Sequence, residues 1–192
     1  TDADWIAAGR LVFEMPVDVN GPILRPSQVR DPAWYAKHRV PVAADGTMPY
    51  ARWVIREKGK VDIGNVACAM CHTRVMPDGA VILGAQGNFP FDQIFADDIP
   101  NIPPPVMPLV VQGLVGEAWD AEGTARLRAM SLADFRAAWN AIPPGVIARQ
   151  GTSVFVPPAV PDLIGIADRR YLDKTGLGRH RGIADVMRYA AM

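Results

Sequence analysis

Two cysteines and a histidine stand together in Cys68-Ala69-Met70-Cys71-His72, and the chain has no other cysteine. A C-x-x-C-H run is the attachment pattern of a c-type haem. Thiols three positions apart can add across the two vinyl groups of one porphyrin and form thioethers. The next residue, His72, is then placed to bind the iron from the proximal side. Cys68 and Cys71 are therefore the expected covalent anchors of one haem c, and His72 the expected proximal ligand. Other chemistries fit this spacing less well. A disulfide closing so small a loop stabilises little. A thioredoxin-like pair wants a βαβ setting, which no alternation before residue 68 provides. Structural zinc takes four ligands, and the motif offers three.

The sixth iron position decides what such a haem does. A Met or His there closes the site and favours electron transfer, whereas an open position admits peroxide or gases. The candidates, in order, are His180, Met107, Met187 and His38. His180 lies in the basic turn Gly178-Arg179-His180-Arg181-Gly182, ahead of the last helix. Met107 follows Pro103-Pro104-Pro105, in the manner of the proline-flanked Met loops of small cytochromes. Met187 lies on the apolar face of its helix, where packing also explains it. His38 ends a short helix, where a cation is favourable in any case. Arg179 and Arg181 are the expected partners of the haem propionates.

The elements that position these residues are read as mostly helical. Helices are expected over residues 2–13, 33–38, 49–58, 131–142 and 182 to the end. Asp31-Pro32 is an N-cap acid with proline in the first helical position. Ser131 with Asp134 three residues on resembles a capping box. Pro77-Asp78-Gly79 reads as a turn. Ile99 to Pro108 carries five prolines and reads as extended. Strand signals are few, and Val154-Phe155-Val156 is the best of them.

Pro (18) and Gly (17) are abundant, so long loops are expected between the helices. Acidic and basic residues balance at 20 each, which points away from a nucleic-acid partner. No apolar run reaches the roughly 18–20 residues of a membrane-spanning helix. The start at Thr1, with no leader before it, reads as a mature start after export. The expected location is periplasmic or otherwise extracytoplasmic.

Three stretches resemble the bacterial di-haem cytochrome c peroxidase superfamily. Gly9-Arg10-Leu11-Val12-Phe13 is similar to the helix end that opens the first haem domain there. Val66-Ala67-Cys68-Ala69-Met70-Cys71-His72 is similar to its haem-attachment helix. Val160-Pro161-Asp162-Leu163-Ile164-Gly165, running on through Tyr171 to Asp185 and Tyr189, resembles the segment that follows a haem. Against that pattern, residues 15–60 read as an insertion or elaboration. The resemblance implies a mainly α, cytochrome c-like helical haem domain with long Pro- and Gly-rich loops, spanning residues 1–192 as one domain. The superfamily uses two haems, but this chain has cysteines for one. Leu172-Asp173-Lys174 stands where those proteins carry a His-Asp-Gly element. The expected function is electron transfer through one haem c to a redox partner protein. The alternative is a haem-dependent peroxidase, or part of a di-haem peroxidase-like enzyme whose second haem lies elsewhere, with a second haem subunit as the partner.

Overall fold

The computed structural model describes residues 1–192 except 20–22, 104, 107–120, 149–153, 156, 174–175 and 192, together with the side chains of 187 and 189–191. Two compact units emerge, Thr1–Asp162 and Leu163–Met192.

The first unit is mixed α/β, which corrects the expectation of a mainly α, cytochrome c-like helical domain. It holds two small antiparallel sheets. Helix α1 (Asp2–Glu14) opens the chain, followed by β1 (Asp18–Val19), α2 (Pro32–His38), β2 (Trp53–Glu57) and β3 (Lys60–Asn65). A single helical turn, α3 (Cys68–Cys71), comes next, and then β4 (Thr73–Val75) and β5 (Val81–Leu83). Helix α4 (Phe91–Asp98) runs into a 3-10 turn at Ile99–Asn101, and α5 (Ala121–Ala129) and α6 (Leu132–Asn140) follow.

A helix is expected over residues 49–58, but β2 takes half of that stretch. Trp53, Val54 and Ile55 are aromatic or β-branched and fit a pleated surface. Gly59 takes φ +85°, which turns the chain tightly so that Glu57 pairs Lys60 and Trp53 pairs Ile63. Strand β3 sits between β1 and β2. Two further expectations change. Ile99–Asn101 is a 3-10 turn rather than extended chain, because Pro100 sits in its first turn, where the missing N–H costs nothing. Val154 and Phe155 form a bend instead of a strand.

Several caps are found where the sequence puts them. The Asp31 side chain accepts from Ala33 N, with Pro32 opening α2. Ser131 Oγ accepts from Asp134 N at 3.1 Å and starts α6. The core gathers Leu24, Tyr50, Ile63, Met70, Ile94, Ile99 and Trp139. Helix α4 packs on α6, with the Phe95 and Trp139 rings 4.9 Å apart. Asp97 on α4 ties three elements together, through Lys37 and His38 of α2 and Arg136 of α6.

The second unit begins with a 3-10 turn at Ile166–Asp168. Tyr171 and Arg179 then bridge antiparallel. The Asp173 carboxylate accepts from Gly176 N and Gly178 N, each at 2.9 Å, and shapes the turn between them. Helix α7 (Ile183–Ala191) ends the described chain.

Candidate functional site

The Cys68–His72 motif falls between the two sheets in the chain. Strand β3 leads in and β4 leads out. Val66 takes φ +55°, a turn that swings the chain out of β3. The turn of α3 then closes through Met70 N to Ala67 O at 3.0 Å and His72 N to Cys68 O at 2.9 Å. Residues three apart on a helix share a face. Here Ala69 and Met70 face the core and are buried, while Cys68 is exposed and Cys71 and His72 are partly exposed. Both sulfurs thus lie on the outward side of one helical turn. Helix α1 packs on α3, and Val17 N bonds Val66 O at 3.2 Å. This leaves Val12, Met15, Val17 and Val66 as exposed apolar side chains in the elements next to the motif.

His72 is held by a distant backbone group. Its Nδ1 lies 2.9 Å from the carbonyl oxygen of Pro161. A carbonyl can only accept, so Nδ1 carries a hydrogen, and in the neutral ring the lone pair is then on Nε2. Metal-binding histidines are prepared in this way, with the second nitrogen donating to a carbonyl or carboxylate.

The Pro161 carbonyl is itself braced. Residues 145–147 and 158–160 pair: Val160 N bonds Gly145 O at 2.8 Å, Ile147 N bonds Pro158 O at 3.2 Å, and Val146 bridges Ala159. Gln86 Nε2 donates to Gly145 O at 2.7 Å, and the Asp92 carboxylate accepts from Ala148 N at 3.1 Å. Gly87 N bonds Cys71 O at 2.8 Å. A Cβ on Gly87 would lie 2.3 Å from that same oxygen, and one on Gly145 would lie 2.8 Å from Gly87 O. Three backbone layers therefore stack at Cys71, Gly87 and Gly145 with no room for a side chain. The circuit closes through Pro161 back to His72.

Comparison with known proteins finds no matching family model, no similar curated sequence and no similar solved structure. The geometry of the motif therefore carries the functional reading by itself.

The other candidate residues are dispersed. His180, in the second unit, is partly buried; its Nδ1 lies 2.9 Å from Arg169 O and its backbone N bonds Arg170 O at 2.8 Å. Met107 lies outside the described residues. Met187 is in α7, with its side chain outside them. His38 is buried at the end of α2, with Nε2 3.3 Å from Asp97 and its ring against Trp34. Burial lowers the His38 pKa from its usual value, against the pull of Asp97. Arg179 is exposed. Arg181 binds the Asp185 carboxylate, in the first turn of α7, at 3.2 Å.

Among the described residues no three His, Cys, Asp or Glu side chains converge on an ion site, and no helix is long and apolar enough to cross a membrane. Sequence reading missed Gln86, Gly87, Gly145 and the role of the Pro161 carbonyl. The Gly-rich run from Gly84 to Pro90 was the visible signal. Its meaning, a backbone approach to Cys71, depends on pairing across the fold.

Proposed function

We propose that this chain carries one haem c on Cys68 and Cys71, with His72 as the proximal ligand, and serves in single-electron transfer. The observation that carries the reading is the bond from His72 Nδ1 to the Pro161 carbonyl. It leaves the ligand lone pair on Nε2 and orients the ring, one residue after a helical turn whose two thiols face outward. The donor set suits an iron porphyrin, which needs two thiols and one imidazole from this side. The haem supplies a one-electron couple when bound. Cys68 and Cys71 tether it, His72 holds the iron, and the exposed apolar side chains beside α3 offer it a dry wall. The scaffold is a mixed α/β unit rather than a helical cytochrome fold. The partner is a redox protein, and an extracytoplasmic location suits thioether attachment.

Co-expression with haem-attachment machinery tests the reading. The expected product is red, one haem heavier than the polypeptide, and keeps its haem in acid and organic solvent. Cys68→Ala with Cys71→Ala should abolish retention. A product with the bare polypeptide mass and no visible absorption would overturn the reading.

A further inference from the structure

Among the described residues, Gln86 through Gly145 O and Asp92 through Ala148 N are side-chain ties from the 86–92 stretch to the paired segments 145–148 and 158–160. Of these, Gln86 directly adjoins Gly87, which is bonded to the Cys71 carbonyl next to His72. Its backbone is fixed on the other side by Arg74, whose guanidinium donates to Gln86 O at 3.2 Å. A single residue thus joins the segment that touches the cysteine turn to the segment that supplies the Pro161 oxygen. Little slack exists between them, because the space enclosed by Met70, Cys71, Gly87, Gly145 and Val160 is about 10 Å³.

We propose that Gln86 is a positioning residue for His72: by holding Gly145 O it fixes where the Pro161 carbonyl meets Nδ1, and so sets the tautomer and donor strength of the imidazole. This deepens the haem reading and rests on it for one of its two consequences. Partners of this kind orient a ligating histidine and raise its basicity, and losing one typically changes metal affinity or activity by 10–100-fold. A weaker bond at Nδ1 makes the imidazole a poorer donor, which favours ferrous over ferric iron.

The test uses the full chain with Gln86→Met and Gln86→Glu, neither of which donates at neutral pH, and Gln86→Lys, which can. Gln86 is only partly buried, so the fold should survive all three. Nitrogen NMR of the haem-free chain reads the tautomer directly. The wild type and Gln86→Lys should be Nδ1–H at His72, while the Met and Glu variants should shift at least tenfold toward Nε2–H. In the haem-loaded chain the Met and Glu variants should raise the midpoint potential by about 59 mV, the one-electron equivalent of a tenfold change, and Gln86→Lys should restore it. Unchanged tautomer and potential in the Met and Glu variants would overturn the proposal. A chain that takes up no haem would sink the haem reading instead, and the NMR arm would still decide the role of Gln86.

Discussion

Nδ1 of His180 lies 2.9 Å from the carbonyl oxygen of Arg169, the same contact at the same distance that His72 makes with Pro161. In each ring Nδ1 is the donor, so the neutral form is the Nδ1–H tautomer. His38 is arranged differently, with Nε2 turned to Asp97. Of the two histidine candidates for the sixth iron position, His180 is the one whose Nδ1 faces a backbone carbonyl.

The expectation that His180 fills the sixth position is tested by His180→Ala in the haem-loaded chain, which should then convert a six-coordinate, low-spin spectrum into one with high-spin features and open the iron to cyanide at low concentration. The measurement is absorption spectroscopy of oxidised and reduced protein with a cyanide titration. A spectrum and potential equal to wild type would pass the role to Met107 or Met187.

Asp92 predicts a pH dependence. It is buried with Oδ1 lacking a hydrogen-bond partner among the described residues, and burial pushes its pKa from 3.8 up to about 7 against the bond from Ala148 N. The folded chain therefore holds a proton between about pH 4 and pH 7 that the unfolded chain has lost. Stability contributed by this group is full below about pH 4 and falls as pH rises to about 7, by at most about 1.4 kcal/mol per pH unit. Urea midpoints across that range should show the decline, and Asp92→Asn should flatten it. An equal slope in both proteins would count against it.

Two glycines should respond in opposite directions to alanine. Gly87→Ala places a methyl group against the backbone oxygen and carbon of Cys71, atoms that move only with the whole turn. A loss of about 3 kcal/mol is expected, at the upper end of overpacking costs, with less haem taken up. Gly9 lies inside α1 with nothing within 4 Å of its virtual Cβ. Gly9→Ala should gain roughly 0.5–1 kcal/mol from helix propensity alone. Thermal melts of the two variants decide both signs.

The parts legible in the sequence were those written locally. Asp31-Pro32 and Ser131 with Asp134 fix helix starts within four residues, and the structure has α2 and α6 there. The Cys68–His72 run announces its chemistry in five positions. The sheets were not legible, because β2 becomes a strand only by pairing with β3 around Gly59, and a short apolar run such as Trp53-Val54-Ile55 suits either element taken alone. That error turned a mixed unit into a mainly helical one. The bracing of His72 was hidden for a related reason: Gln86, Gly145 and Pro161 are ordinary loop residues until distant segments meet.

The partner of His72 lies 89 positions further along the chain, whereas the turn that presents the thiols closes within five. The two halves of the motif's chemistry therefore mature at different times during biogenesis. A nascent chain can display both cysteines long before it has made residue 161, and contacts so far apart in sequence form late. Covalent capture can come first, on an imidazole still free to choose its tautomer. The orientation of that ring then serves as a checkpoint, reached only when the first unit has been built almost to its end.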